Sequence, residues 1–232
     1  MKNKIFPLLL AIAGSSLLLA TGTAQAKGGV ALGATRLIYP QGQKEISVPL
    51  TNTSTSSSYL VQSWIASAND QKSPDYILTP PLFVSKPKSE NTLRVMYVGP
   101  DLPKDRESVF YLHSRSIPSL DKNALKDSNV LQIAIESVIK VFWRPQGLTS
   151  TSEAAQKSLV CSQSGSTLTL KNPSPYYVSL VSLYAGNKKL PNTMVPPKGN
   201  KTLSVSGANG GAITYKAIND YGALTAKITC GS

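Results

Sequence analysis

The stretch NVLQIAIESVIKVFWRP, Asn129 to Pro145, decides how the rest of the chain is read. Counted in twos it gives Leu131, Ile133, Ile135, Ser137, Ile139, Val141 and Trp143, an apolar file broken only by the serine. Alternation at period two, rich in β-branched and aromatic residues, predicts a strand from Val130 to Trp143. At roughly 3.3 Å per residue the run to Arg144 would extend about 50 Å. Strands of five or six residues are the rule, so one this long must run past its own sheet or join two domains.

Outward from this strand the chain keeps the same texture. Ile46–Leu50, Tyr59–Ala66, Thr92–Val98 and Val109–Arg115 read as further strands, separated by the turn-rich runs 51–58, 69–74 and 99–105. After Pro145, the small and polar run QGLTSTSEAAQKS fits an interdomain linker. A second series follows, at Leu159–Cys161, Thr167–Leu170, Tyr176–Tyr184, Lys201–Val205, Ala212–Ile218 and Ala223–Thr229. No stretch carries a long helical period with caps. The expectation is an all-β protein of two small sandwich domains, residues 27–146 and 147–232.

Met1–Ala26 predicts a secretory signal: Lys2 and Lys4 lead an apolar stretch that ends in the small-x-small sequence Ala24-Gln25-Ala26. No later segment is long and apolar enough to insert in a bilayer. Without Lys2 and Lys4 the chain keeps 22 basic against 12 acidic residues, a net charge of +10. Such a charge can mean nucleic acid, but export and lysines scattered rather than clustered argue against it. What remains is solubility or an acidic partner. Cys161 and Cys230 should pair in an oxidising compartment. They would close a loop of about 70 residues, worth on the order of 4 kcal/mol in the chain-entropy model.

Catalytic chemistry finds little to work with. His113 is the only histidine and lies inside a predicted strand, with no cysteine near it to build a zinc site. No serine has a nucleophile-elbow context. Asp105 and Glu107 flank Arg106, an arrangement that favours ion pairing over acid–base work. Nothing indicates an enzyme, a metal or another cofactor.

Nine motifs, in order, resemble the PapD-like periplasmic chaperones of fimbrial (pilus) assembly. They are GVALGATRLIY (29–39), YLVQSWI (59–65), TPPLF (79–83), LPKDRESVFYL (102–112), Ile117-Pro118, LQIAIESVIKVFWRP (131–145), NPSPYYVSL (172–180), MVPP (194–197) and INDYG (218–222). The resemblance implies two immunoglobulin-like β-sandwich domains in a boomerang arrangement around a cleft. It also implies a function in the periplasm: stabilising pilus subunits by donor-strand complementation and delivering them to an outer-membrane usher.

Residue by residue, the resemblance makes Leu131, Ile133 and Ile135 the donor-strand side chains, each worth about 1.5–3 kcal/mol if buried in the subunit. Pattern alone leaves open that they face their own core. Arg36 and Lys140 become the anchor for the subunit's C-terminal carboxylate. Under strict alternation Lys140 is opposite in phase to the three donor residues, so a bulge or strong twist is expected near Glu136-Ser137. Glu107, Arg144 and Asp220 match an interdomain salt bridge, expected to orient the domains rather than to stabilise by more than about 1 kcal/mol. Leu60, Gln62, Thr79, Pro80, Pro81, Leu82, Arg94 and Ile117 match an usher-binding surface.

The short segment between Ile117 and Val130 resembles the short-loop subgroup, which typically assembles compound, often adhesive, pili. Gly33-Ala34 stands where some members carry charge at the cleft rim. An exposed apolar edge predicts some protection in the free protein, such as a self-capping dimer. The rival reading, a structural or adhesive fimbrial protein, calls for one incomplete domain with an N-terminal donor extension. Here the first strand motif starts within a few residues of the cleavage site.

Overall fold

Alternation along each strand sends every second residue inward, and two inward faces make each core. In the computed structural model, which describes residues 28–119, 131–207 and 211–231, the first half contains nine strands. They are β1 (Val30–Leu32), β2 (Arg36–Pro40), β3 (Ile46–Asn52), β4 (Tyr59–Ala66), β5 (Tyr76–Thr79), β6 (Leu82–Ser85), β7 (Ser89–Tyr97), β8 (Ser108–Pro118) and β9 (Ile135–Arg144). One sheet has the order β1-β3-β7-β5 and the other β2-β9-β8-β4-β6. Between them Val48, Leu50, Val61, Leu93, Val95, Leu112 and Val141 are fully buried, each contributing about 1.5–3 kcal/mol by leaving water.

The second half begins with a short helix, α1 (Ser152–Lys157), followed by β10 (Val160–Ser164), β11 (Thr167–Asn172), β12 (Val178–Ala185), β13 (Lys188–Lys189), β14 (Thr193–Val195), β15 (Gly199–Ser204), β16 (Ile213–Ala217) and β17 (Ile228–Thr229). Its sheets run β10-β11-β15 and β13-β12-β16-β17, with β14 on β12. They close over Leu168, Leu170, Leu180, Leu183, Val195 and Tyr215. The disulfide between Cys161 on β10 and Cys230 just after β17 ties the two sheets together, its Cα atoms 5.8 Å apart.

Several expectations need correction. The long strand begins at Ile135 rather than Val130, and Leu131 and Ile133 precede it outside regular structure. A strand persists only where a neighbour takes its hydrogen bonds, and the pairing with β8 ends at Ile135↔Ser116. The expected bulge is absent: pairing with β8 is continuous from Ile135↔Ser116 to Trp143↔Ser108. A register shift falls instead in β12, between Val181 and Tyr184. Part of the supposed linker is α1, capped by Thr151, whose hydroxyl accepts from Ala154 N at 3.2 Å. Six residues are too few to display a helical period. The predicted strand at Ala223–Thr229 shrinks to Ile228–Thr229. The signal read at Met1–Ala26 lies outside the described residues.

Each domain also fastens a loop with a buried asparagine, a device that alternation does not reveal. Asn52 Nδ2 donates to the carbonyls of Ser57, Ser85 and Lys86 while its Oδ1 accepts from Ser54 N. Asn172 repeats the arrangement with Tyr176, Val195, Pro196 and Ser174. A buried amide with its bonds made holds a turn in one geometry.

Candidate functional site

Strand β9 has two different edges. One pairs with β8 along its length from Ile135 to Trp143. The other pairs with β2 in parallel, but only from Lys140↔Arg36 to Arg144↔Pro40. Among the described residues nothing takes the hydrogen bonds of that second edge from Ile135 to Ile139. The donor residues share the phase of Val141 and Trp143, which lie in the domain core. At the free end the core has run out. Leu131 is 83%, Ile133 64% and Ile135 62% exposed. These are core-phase side chains without a core, next to an unpaired strand edge.

Arg36 and Lys140, the pair expected to form an anchor, stand where that open edge begins. Arg36, the first residue of β2, and Lys140 are register partners on adjacent strands. Arg36 Nη1 donates to the Ile218 carbonyl at 2.9 Å, and its guanidinium lies 5.7 Å from the Phe142 ring centre. Its buried Nε has no acceptor among the described residues. Burial pushes the Lys140 ammonium below its ordinary range, and the neighbouring Arg36 charge adds to the shift. Burial lowers Arg36 too, against the opposing pull of Asp220 and Glu107. Two half-buried cations side by side form a receptor for an anion, and a carboxylate can engage both.

The phase problem therefore has a simpler solution than a bulge. Lys140 and Arg36 rise from the outer face of the sheet while Ile135 points toward the core side. A strand continuing β2 in the same direction along the free edge of β9 would end at Arg36. Its terminal carboxylate would lie in the sheet plane, within reach of Arg36 and Lys140 on the outer face, and its preceding residues would run beside Ile135.

Glu107, Arg144 and Asp220 come together at the joint between the domains. Arg144 Nε donates to Glu107 Oε1 at 2.7 Å, and its Nη1 and Nη2 donate to Asp220 Oδ2 and Oδ1 at 2.7 and 2.9 Å. Glu107 Oε2 accepts from Tyr177 N at 2.8 Å, and Ser152 Oγ donates to Asp220 at 2.9 Å. This is not an exposed ion pair. Glu107 is buried, so removing Arg144 would strand a charge in the interior, a cost of about 3–5 kcal/mol rather than about 1. Burial pushes the Glu107 carboxyl up, with Arg144 and Tyr177 N pulling back. Burial by itself pushes the Asp220 carboxyl up, but the Arg144 bonds and charge, the Ser152 hydroxyl and the Arg36 charge together hold it below its usual range. Lys198 and Asp105, 2.8 Å apart, add a further interdomain pair.

Of the residues matched to an usher surface, Leu60, Gln62, Leu82 and Ile117 share one face. Leu60 is opposite Ile117 on β8, and Gln62 is opposite Leu82 on β6. Val84, opposite Leu60, extends the exposed apolar patch. Thr79, Pro80 and Pro81 lead from β5 round the sandwich edge to β6. Arg94 is on the other sheet, opposite Thr79 and within 3.8 Å of Glu45.

A cluster absent from the sequence reading lies between this patch and the donor segment. His113 is buried, stacked on Trp64 with ring centres 5.0 Å apart, and its Nδ1 is 2.7 Å from Glu136 Oε1. Arg115 Nε and Nη2 reach Glu136 Oε2 at 2.9 and 2.8 Å. Ser116 Oγ and Gln132 Nε2 donate to the carbonyls of Ile135 and Pro118. These bonds fix the base of the exposed segment to β8. Only the strand register, which places Glu136 opposite Arg115, could have revealed them. Among the described residues no cluster of three or more His, Cys, Asp or Glu is arranged to hold a metal ion.

Comparison with known proteins points to one family. Residues 29–149 match the family of pili and flagellar-assembly chaperones, PapD N-terminal domain, and residues 154–229 match the pili assembly chaperone PapD, C-terminal domain. The chaperone protein FocC of Escherichia coli is 50% identical over 206 residues, covering 88% of this chain and 90% of FocC. The crystal structure of the periplasmic chaperone SfaE is 47% identical, with a TM-score of 0.78 over 88% of this chain and all of SfaE. The SafB chaperone of Salmonella enterica, solved in complex with the SafA pilin, is similar too. The match to that structure has 28% identity and a TM-score of 0.80, and covers 90% of this chain and 99% of the other. With both domains matched along nearly the whole described chain, the protein belongs to the PapD family of pilus-assembly chaperones.

Proposed function

We propose that this chain is a periplasmic chaperone that holds a pilus subunit by donor-strand complementation and passes it to an outer-membrane usher. The observation that carries the reading is the meeting of three features at one place. Strand β2 begins, the edge of β9 before it is free, and two cations that have no carboxylate partner among the described residues mark the junction. A subunit sandwich lacking a strand supplies what is missing. Its last strand pairs with the free edge, its carboxylate lies between Arg36 and Lys140, and its open core accepts Ile135, Ile133 and Leu131. The activity is binding, and no cofactor enters it.

The division of labour follows from the residues. The first domain, 27–146, carries the donor segment, the anchor and the apolar face of Leu60, Gln62, Leu82 and Ile117, with Thr79, Pro80, Pro81 and Arg94 at its edge, for the usher. The second, 147–232, is stapled by Cys161–Cys230 and held at its angle by Glu107, Arg144 and Asp220. Export is through a cleaved signal at Met1–Ala26. In the free chaperone the exposed donor segment is a surface that a second copy would cover.

Recovery of a pilus subunit from the periplasm, with the chaperone as Arg36→Ala or Lys140→Ala, tests the reading. Each variant should remain folded and lose the one-to-one complex. Normal recovery with both would rule out the anchor.

A further inference from the structure

The loop from Ile218 to Leu224, between β16 and β17, is where the second domain touches the anchor. The Ile218 carbonyl accepts the Arg36 Nη1 hydrogen bond. Gly222 has a φ of +84°, and a Cβ there would overlap the Thr35 hydroxyl. The loop backbone thus lies directly on the residue that precedes the anchor. Within the loop, Asn219 Oδ1 accepts from Tyr221 N and Ala223 N at 3.1 and 2.8 Å. Its backbone exchanges bonds with Gly222 N and the Ala223 carbonyl. Asp220 is fixed by Arg144 and Ser152. A loop fastened at so many points presents its side chains in one geometry, and what it presents is Tyr221, 92% exposed, with Leu224 also exposed.

We infer that Tyr221, on a loop that also exposes Leu224, is a second contact for the bound pilus subunit, supplied by the second domain next to the point that receives the subunit's terminal carboxylate. The inference rests on the proposed role of the cleft and adds to it a partner surface outside the donor strand. Position selects the occupant. A strand running parallel to β9 and ending at Arg36 arrives against Thr35. The Tyr221 Cα is one residue, about 4 Å, from the glycine that packs there. Tyrosine on a rigid loop suits such a contact, because it contributes a large amphipathic area with few torsions to freeze. The complementary chemistry is an apolar or amide surface within a few residues of a chain-terminal carboxylate.

The test uses the full chaperone and a labelled peptide that reproduces the C-terminal strand of a pilus subunit with a free carboxylate. Tyr221→Ala should weaken peptide binding about tenfold, Tyr221→Phe should bind like the parent, and neither should shift the thermal unfolding midpoint. Arg36→Ala serves as the reference and should abolish binding. Undiminished binding by Tyr221→Ala, with Arg36→Ala inactive, overturns the second contact and leaves the cleft reading standing. Parent binding that is absent, or insensitive to Arg36→Ala, overturns the cleft reading and the inference with it. A change in self-association of Tyr221→Ala with unchanged peptide binding assigns the residue to a contact between chaperone copies and also overturns the inference.

Discussion

Arg36 and Lys140 face one another across two parallel strands as register partners, and neither makes an ion pair among the described residues. Asp220 and Glu107, whose charges act on Arg36, are already engaged by Arg144. This pairing of like charges is a stability cost that a subunit's carboxylate would remove.

Lys140→Met should therefore leave the free chaperone as stable as before, or more stable by up to about 1 kcal/mol in urea unfolding. The sign follows from the lowered lysine pKa, because the fold disfavours the charged form. The advantage of the variant is present at neutral pH and shrinks as pH rises through the lowered value and the parent lysine becomes neutral. A variant clearly less stable at neutral pH would show that Lys140 supports the fold rather than the site.

Glu136 holds the root of the donor segment through His113 and Arg115. Glu136→Ala should cost only about 1 kcal/mol globally, since the cluster is partly solvated. Hydrogen exchange of the amides around Ile135 should nevertheless speed up markedly, and subunit affinity should fall. Those two bonds also hold the Glu136 carboxyl below its usual range. Its contribution is therefore present above the ordinary glutamate value and lost as pH falls through the lowered one. Unchanged exchange would remove the positioning role.

At the joint, Arg144→Ala should destabilise by about 3–5 kcal/mol, because it leaves Glu107 charged and buried. Acid separates the two carboxylates. Asp220, depressed, contributes stability above the ordinary aspartate value that is lost as pH falls through its lowered pKa. Glu107, raised by burial, has the opposite sign and becomes less unfavourable as it protonates. Asp220→Asn should accordingly flatten the loss of stability below the usual carboxylate range, measured by urea unfolding against pH. An unchanged acid limb would mean that the loss comes from other groups.

Much of the fold is legible in the sequence. Alternation locates Tyr59–Ala66 to the residue and finds most of the core strands, because their inward faces are mostly apolar, as at Val61 and Ile65. The short β1, β2, β5, β6, β13 and β14 are not separately identified, because two to five residues hold too little pattern. The family resemblance picked out Arg36, Lys140 and the Glu107–Arg144–Asp220 triad, which spacing alone could never join. What stayed hidden depends on register. Glu136 opposite Arg115, Gly222 against Thr35, and the absence of a bulge are properties of how strands and loops meet. The expected bulge came from asking one strand face to do two jobs; the structure divides them between its two faces.

The most direct test of the account places a charge on a donor side chain. Full-length chaperone carrying Ile133→Asp should keep the parent's unfolding midpoint, because Ile133 is 64% exposed and outside the core, and should yield no one-to-one complex when produced with a pilus subunit. A complex of normal yield, or a chaperone that loses several kcal/mol of its own stability, would place Ile133 in its own domain and contradict donation of the strand.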